Sequence, residues 1–179
     1  MAYCPDVDGP RSVAVLVVVL FHAGVGWLPG GFAGVDVFFV ISGFLITQIV
    51  TEAIATRRFS LVDFYVRRAR RILPALYVFI GGVLLLGLLL LLPLELAGLS
   101  KSILATNLFI SSFLFWKQSG YFHISAELKP LLHTWSLAIE EQFYVLWPLL
   151  LVVCYRRGWR INWVVSALLG LSFALSCVF

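Results

Sequence analysis

The sequence has little charge and little cysteine. Only 12% of its 179 residues are charged and 61% are hydrophobic, whereas a soluble domain carries roughly 25% charged residues. Because the apolar residues form long unbroken runs, we predict an integral membrane protein. The three cysteines, Cys4, Cys154 and Cys177, are far apart and form no CxxC pair. This spacing indicates neither a zinc site nor a disulfide framework, and we expect no bound metal.

Positive charge is confined to a few places. The net charge of +4 comes mostly from arginine, and six arginines lie between residues 57 and 71. Such a local excess gives no reason to expect nucleic-acid binding. A basic cluster beside membrane spans more often faces the cytoplasm or binds phosphate and anionic headgroups. We therefore expect the lipid bilayer as a partner, and no nucleic acid.

Five apolar stretches predict an all-α membrane protein, a polytopic bundle of transmembrane helices. The predicted spans are residues 12–28, 32–50, 72–93, 137–154 and 162–179. The weaker stretch 102–116 contains Asn107 and several serines, and we interpret it as a re-entrant or surface-lying segment, with an additional span as the alternative. Because the last span runs to Phe179, we expect a truncated chain, the N-terminal part of one larger membrane domain.

The segment between the second and third spans predicts the topology. Residues 59–74, FSLVDFYVRRARRILP, have helical periodicity and a capping box of Ser60 and Asp63, which indicates a short interfacial amphipathic helix. The arginine-rich loops 51–71 and 155–162 are expected to be cytoplasmic. The N-terminus lies two spans before the first loop, so it is predicted to be cytoplasmic as well.

The first span, RSVAVLVVVLFH at residues 11–22, has an ionisable residue at each end. Helix geometry places Arg11 and His22 on nearly the same face, about 16 Å apart along the axis. We expect His22 near mid-depth, where an ionisable group costs about 2.5–3.5 kcal/mol. His22 is then either a general base in a buried cavity or a packing histidine. Arg11 either flanks the span or serves the same site, and Asp36 either pairs with His22 or another cation or lies in water.

Four arginines, Arg67, Arg68, Arg70 and Arg71, follow the second span. Residues three or four positions apart share a helix face, and arginine binds phosphate with two parallel hydrogen bonds. The spacing therefore fits recognition of a phosphate-bearing ligand. From the residues alone, a topology signal is favoured, because basic cytoplasmic loops are the rule.

The densest polar stretch is PLLHTWSLAIEEQFYVLWP, residues 130–148. On a helix starting near Thr134 or Ser136, the side chains of His133, Glu140 and Tyr144 share one face. Ser136 can cap this helix, and the helix dipole favours carboxylates in its first turn. Glu140 and Glu141 point about 100° apart, so at least one is expected to face a polar cavity.

Taken together, these stretches resemble the acyltransferase-3 family of bacterial integral-membrane O-acyltransferases. The resemblance rests on four motifs that occur in the right order over nearly the whole chain. Two features depart from the family pattern. DGPRSVA replaces the usual DGLRAIA, and the family's membrane domain has about twice as many spans. The four motifs are Arg11-x10-His22, GGFAGVDVFFVISGFLIT at 30–47, FYVRRARRILPAL at 64–76 and LLHTWSLAIEEQFYVLWP at 131–148.

The resemblance implies a multi-pass enzyme of the bacterial inner (cell) membrane. Such enzymes move an acyl group, usually acetyl, from cytoplasmic acyl-CoA to a hydroxyl of a cell-surface carbohydrate such as lipopolysaccharide O-antigen, peptidoglycan or exopolysaccharide. Acyl-CoA is the donor substrate, and no bound cofactor is expected. Some members also carry an SGNH hydrolase-like domain, of which this sequence shows no sign.

The resemblance also assigns roles to residues of this chain. It implies that Arg11 and His22 are catalytic. It also implies that Glu140 and Glu141 belong to a functional motif, and we expect these two residues to be catalytic as well. The expected substrate-binding residues are Arg67, Arg68, Arg70 and Arg71 for the CoA phosphates, together with Asp36, His133 and Tyr144.

Other classes of function stay open at this point. A fragment of a proton-coupled transporter would use His22, Asp36 and the two glutamates as a proton relay. An inactive truncated acyltransferase, or a non-catalytic membrane scaffold, is a further alternative. Incorporation of labelled acetyl-CoA into surface glycans would separate an enzyme from a transporter.

Overall fold

The computed structural model describes residues 5–26, 29–118 and 130–178, with side chains described from residue 9 to residue 177. These residues form helices and connecting turns, and no strand occurs among them. The predicted all-α fold is confirmed. The helices are α1 (Pro5–His22), α2 (Gly34–Ala55), α3 (Leu61–Leu90), α4 (Pro93–Asn107), α5 (Ser111–Lys117), α6 (Thr134–Arg157) and α7 (Ile161–Val178), with a 3-10 turn at Gly31–Ala33 before α2.

Among the described residues, three helical segments are long and apolar enough to cross a membrane. They are Gly31–Ala55, Leu61–Leu90 and Thr134–Arg157. The apolar parts of α1 and α7 are shorter, Gly9–His22 and Ile161–Cys177. This pattern is that of a multi-pass membrane protein. Positions 27–28 and 179, where the first and last predicted spans end, lie outside the described residues.

The first helix differs from its prediction in position. α1 begins at Pro5 and contains Pro10. It ends at His22, and the following turn includes Gly24 with φ of +78°. Glycine adopts this left-handed conformation at little cost, so the helix can stop here. His22 is therefore the last residue of its helix and does not lie within it; its depth in a membrane stays a prediction.

The predicted interfacial helix and third span form one continuous helix, α3. The Oγ atom of Ser60 accepts a hydrogen bond from the backbone N–H of Asp63 at 3.3 Å, so the predicted N-terminal cap is present. Pro74 lies inside α3 without ending it, since membrane helices tolerate proline where neighbours satisfy the freed carbonyl. The separate interfacial helix is the part of this prediction that is wrong.

The stretch 102–116 is divided between α4 and α5. Phe109, with φ of 53°, lies in the break. The hydroxyl of Ser111 donates to the carbonyl of Thr134 at 2.9 Å, and the hydroxyls of Thr106 and Thr134 are 3.0 Å apart. These bonds hold the broken segment against the start of α6. Irregular backbone at membrane depth is tolerated only when it is shielded by protein in this way.

Small residues let α1 and α2 approach closely. A Cβ atom on Gly34 would lie 2.6 Å from the carbonyl oxygen of Ala14 and 2.8 Å from Cγ2 of Val18. On Gly31 it would lie 2.5 Å from Cβ of Phe21. Glycine at helix contacts is typical of membrane bundles, where packing replaces the hydrophobic effect. Close helix contact thus explains Gly31 and Gly34 of the GGFAG motif.

The core consists of two apolar clusters. The first joins α2, α3 and α6, and the second joins α4 and α5 to the segment before α6. Their buried members are Ile46, Val50, Phe64, Tyr144 and Leu151 in the first, and Leu99, Phe115 and Leu131 in the second. α7 is exposed along most of its length, and Ile161 at its start packs against the first cluster.

Candidate functional site

A groove between α1, α2 and α6 contains several of the predicted site residues. Its wider part is a cavity of about 500 Å³ lined by His22, Asp36 and His133. Its narrower part, about 270 Å³, reaches Glu140 and has four lining residues in common with the wider part. The common residues are Val18, Val19, Val35 and Ser136. The two parts are therefore continuous, and we refer to them as the α1–α2–α6 groove.

The orientation of His22 is fixed by its own helix. Nδ1 of His22 lies 2.8 Å from the carbonyl oxygen of Val18. A carbonyl only accepts, so this hydrogen bond requires the proton to be on Nδ1. In the neutral ring, Nε2 then carries the free lone pair. The ring also makes an edge-to-face contact with Phe21, with centroids 5.3 Å apart. His22 is thus held as a base with one available nitrogen.

A second imidazole lies beside it. The rings of His22 and His133 are perpendicular, with an interplanar angle of 88° and centroids 4.9 Å apart. His133 immediately precedes α6, whereas Asp36 lies in the first turn of α2. Asp36 faces the same cavity, but no ion pair joins it to His22 among the described residues. The cavity therefore brings together three polar groups from three helices.

Arg11, in the N-terminal half of α1, lies beside the narrower part of the same groove. Its guanidinium lies over the ring of Phe38, 5.0 Å from the centroid, and Phe38 lines the narrower part of the groove. Nε of Arg11 is buried and has no hydrogen-bond partner among the described residues. Arg11 and His22 do not touch, because about 16 Å of helix separates them. Both lie on the groove side of α1, as helical periodicity predicts.

Four side chains from α3 and α6 form a buried ion cluster: Arg68, Glu140, Glu141 and Tyr144. Nη2 of Arg68 is 3.4 Å from Oε1 of Glu140 and 3.1 Å from Oε1 of Glu141. Nε of Arg68 donates to the same Glu141 oxygen at 3.3 Å. The hydroxyl of Tyr144 donates to Oε1 of Glu140 at 2.6 Å. The guanidinium carbon is 2.9 Å from the centroid of the Tyr144 ring.

The ion cluster fixes α3 against α6. The side chains of Arg68, Glu140 and Glu141 are only 17%, 14% and 12% exposed. Removing one partner would leave an uncompensated charge, which costs far more than the pair contributes. Glu140 faces both the groove and Arg68, whereas Glu141 is held on the Arg68 side. Glu140 does line a cavity, but Ser136 is the other polar side chain there and the remaining lining residues are apolar, so the polar cavity predicted for these acids is not what Glu140 faces.

The structure divides the predicted phosphate-binding arginines. Arg68 is engaged by the two glutamates, whereas Arg67, Arg70 and Arg71 are exposed on α3. No ion pair within the described part of the chain involves these three arginines. Three arginines are thus available to an external anion, and the fourth is part of the ion cluster.

Several polar contacts that position α6 were not expected from the sequence. The indole Nε1–H of Trp147 donates to Oγ1 of Thr47 at 2.7 Å, and the Tyr65 hydroxyl donates to the carbonyl of Val145 at 2.9 Å. Nε2 of Gln142 donates to the carbonyl of Phe109 at 2.7 Å. Polar residues inside apolar runs are the only sequence signal for such contacts, and that signal does not name the partner.

The role expected of Ser136 also changes. α6 begins at Thr134, and His133 occupies the N-cap position without a side-chain hydrogen bond. The Ser136 hydroxyl donates to the carbonyl of His133 at 3.0 Å. Ser136 therefore does not cap the helix, and its side chain lines both parts of the groove. Within the described ranges, no group of three or more His, Cys, Asp or Glu side chains could hold a metal ion.

Comparison with known proteins identifies the family. A family model described as an acyltransferase domain matches residues 5–177. The chain is 38% identical over 156 residues to O-acetyltransferase OatA of Staphylococcus aureus, covering 87% of this chain and 26% of that protein. It is 40% identical over 172 residues to peptidoglycan O-acetyltransferase OatA of Listeria monocytogenes, covering 95% of this chain and 28% of that protein.

A third relative agrees with these two. The putative peptidoglycan O-acetyltransferase YrhL of Bacillus subtilis is 44% identical over 155 residues, covering 84% of this chain and 24% of that protein. The chain thus spans about a quarter of the length of the curated relatives it matches. No solved structure matches it. Because the family model covers almost the entire sequence, the chain belongs to the acyltransferase-3 family of membrane acyltransferases.

Proposed function

We propose that this chain provides the groove in which a membrane O-acetyltransferase moves an acetyl group from acyl-CoA to a hydroxyl of a cell-envelope carbohydrate. The enzyme belongs to the class that transfers acyl groups other than aminoacyl groups. The observation that carries the proposal is the geometry of His22. Its Nδ1 is held by the carbonyl of Val18 at 2.8 Å, which leaves Nε2 as a base facing the cavity.

Peptidoglycan is the acceptor best supported by the relatives. The proteins from Listeria monocytogenes and Bacillus subtilis carry peptidoglycan O-acetyltransferase in their names, the second as putative. Lipopolysaccharide and exopolysaccharide, which the sequence resemblance also allows, have no such support. The reacting group is in every case a sugar hydroxyl, which is a weak nucleophile until a base removes its proton.

In the proposed reaction, the acceptor hydroxyl approaches Nε2 of His22. The O–H bond breaks as Nε2 takes the proton, and the oxygen forms a bond to the thioester carbon. The C–S bond breaks with its electron pair on sulfur, and the thiolate finally receives the proton. A positioned general base typically contributes about 10²–10⁴-fold to such a step. Asp36 and His133 line the same cavity and are placed to orient the acceptor.

The donor is proposed to enter from the side of the arginines. Arg67, Arg70 and Arg71 are exposed on α3 and would hold the CoA phosphates. Arg11 lies in the N-terminal half of α1, about 16 Å from His22 along the helix and beside Phe38 of the groove, where it would fix the donor arm. This arrangement agrees with a cytoplasmic N-terminus and cytoplasmic 51–71 loop in the bacterial inner (cell) membrane.

The ion cluster has a positioning role in this proposal. Arg68 is occupied by Glu140 and Glu141 at 3.1–3.4 Å, so it orients α6 against α3 instead of binding phosphate. Tyr144 is likewise engaged with Glu140. The catalytic role implied for Glu141 is thereby reduced to helix placement, whereas Glu140 takes part in the cluster through Oε1 and also lines the groove.

The test is transfer of radiolabelled acetyl from acetyl-CoA to peptidoglycan in membranes that contain the full chain. The unsubstituted chain should transfer label, and His22→Ala should lower the rate by about 10²–10⁴-fold at unchanged abundance. A proton-coupled transporter, suggested by the ionisable side chains lining one groove, would transfer no label. Full activity of His22→Ala, or no transfer by the unsubstituted chain, would contradict the proposal.

A further inference from the structure

The polar residues of α6 that face the α1–α2–α6 groove follow one another at helical spacing. His133, Ser136 and Glu140 are three and four positions apart, a spacing that puts successive Cβ atoms about 5–6 Å apart. His133 and Ser136 line the wider part of the groove, and Ser136 and Glu140 line the narrower part. The three residues therefore form a polar line of about 10.5 Å from the histidine pair to the ion cluster.

The proposed reaction requires a proton to travel along the same direction. One proton leaves the acceptor hydroxyl at the His22 end of the groove. One proton must reach the thiolate that is left when the C–S bond breaks. In the proposed donor orientation, the CoA moiety withdraws toward the arginines of α3. His22 can return its proton to sulfur while the C–S bond breaks beside it. Once the thiolate has withdrawn toward the arginines, the proton can reach it only through groups along the groove.

We infer that His133, Ser136 and Glu140 form a proton relay between His22 and the ion cluster, an inference that rests on the proposed function. The ring of His133 is the polar group next to His22, with centroids 4.9 Å apart. The Ser136 hydroxyl donates to the carbonyl of His133 at 3.0 Å, and its oxygen lone pairs can accept from the groove. To pass a proton on, this O–H turns from the carbonyl toward Glu140.

Glu140 completes the relay at the other end, where its Oε2 receives the proton and passes it on to the withdrawn thiolate. Its Oε1 accepts from Tyr144 and Arg68, at 2.6 Å and 3.4 Å. No described residue bonds to its Oε2, which is therefore available to a proton arriving through the groove. Gaps of about 5–6 Å between neighbouring side chains are bridged by single water molecules, and such bridges are nearly as favourable as direct hydrogen bonds. A groove part of about 270 Å³ has room for them.

Ser136 is the residue whose substitution tests the relay most cleanly, because it touches neither the ion pairs nor His22. Ser136→Ala should slow acetyl transfer by about tenfold and raise the solvent deuterium isotope effect, since a proton transfer becomes rate-limiting. Ser136→Thr keeps the hydroxyl and should restore both values. The matched control is Ser176→Ala, since Ser176 on α7 also donates to a carbonyl three positions earlier, at 2.8 Å, and is exposed.

The members of a relay act in series, which gives a second measurement. The double variant, His133→Ala with Ser136→Ala, should transfer acetyl no more slowly than His133→Ala alone, because either substitution by itself already interrupts the relay. Unchanged rate and isotope effect in Ser136→Ala, at normal activity of the unsubstituted chain, would overturn the relay but not the proposed function. The relay would also be overturned if the fold-loss of transfer rate in the double variant equalled the product of the fold-losses in the two single variants. No transfer by the unsubstituted chain would overturn the proposed function and the relay with it.

Discussion

The two ends of the α1–α2–α6 groove hold their polar groups in opposite ways. At the histidine end, His22 and His133 meet edge to face, and both are exposed to an open cavity. At the Glu140 end, Arg68, two glutamates and Tyr144 are partly buried and bonded to one another. A side chain with an available lone pair can accept a proton during a reaction. Charged side chains that already bond to one another instead hold their helices in place. The polar residues that cost the most free energy to place in a membrane helix are therefore not always the residues that react.

The largest effect on stability is expected at the ion cluster. Arg68→Met should destabilise the protein by about 3–5 kcal/mol, because it leaves two buried carboxylates without a cation. The measurement is the midpoint of thermal unfolding in detergent. Arg70→Met, at an exposed position of the same helix, is the control and should unfold as the unsubstituted protein does.

A combined variant sharpens the same comparison. Arg68→Met with Glu140→Gln and Glu141→Gln should regain part of the lost stability, because no buried charge is then left unpaired. If Arg68→Met alone leaves the unfolding midpoint unchanged while raising the KM for acetyl-CoA, Arg68 binds donor and the two ends of the groove do not differ as described.

A smaller effect is expected where α1 meets α2 beside the histidine end. Gly34→Leu should cost about 1–3 kcal/mol, because a side chain there overlaps the backbone of α1; its Cβ alone would be 2.6 Å from the carbonyl oxygen of Ala14. Thermal unfolding measures it. Gly82→Leu is the control, since nothing lies within 4 Å of a Cβ at Gly82. Equal behaviour of the two variants would refute the close approach of α1 and α2.

The exposed arginines should affect donor binding more than stability. Arg71→Ala is expected to raise the apparent KM for acetyl-CoA by up to about fivefold, since an exposed charge pair contributes at most about 1 kcal/mol. Steady-state transfer assays over a range of acetyl-CoA concentrations measure this, and kcat should change little. Arg160→Ala, at an exposed arginine before α7, serves as the control. A lower protein abundance with unchanged KM would favour a topology role for Arg71.

The smallest effect is expected from a single neutral hydrogen bond between α2 and α6. Trp147→Phe removes the donor of the 2.7 Å bond to Thr47, and should cost about 0.5–1.5 kcal/mol in thermal unfolding. Trp163→Phe, on an indole that is 71% exposed, should cost nothing measurable. Equal losses in both variants would show that the indole contributes by its size instead of its N–H.

Periodicity and hydropathy were sufficient to predict the all-α membrane fold and which residues share a helix face. They placed Arg11 with His22 and His133 with Glu140, because these relations depend on the 3.6-residue repeat alone. They did not predict that Arg68 lies against Glu140 and Glu141, because more than 70 residues separate α3 from α6 at that contact. Pairing between distant helices is a tertiary property that a single sequence does not encode locally.

The boundaries of elements were also beyond the sequence pattern. The left-handed conformation of Phe109 splits 102–116 because Ser111 and Thr134 bond across the break, and neither contact is visible in hydropathy. Likewise α1 stops at His22 because of the turn at Gly24. At this helix end, the ring of His22 lies beside that of His133.

The central claim is that the carbonyl of Val18 holds His22 as a base with a free Nε2, and nitrogen-15 NMR of histidine-labelled protein in nanodiscs tests it most directly. The His22 signals are identified by their loss in His22→Gln. For the neutral ring, the account predicts a proton on Nδ1 and none on Nε2. A neutral ring protonated on Nε2 would contradict it, because the nitrogen proposed to take the acceptor's proton would already carry one.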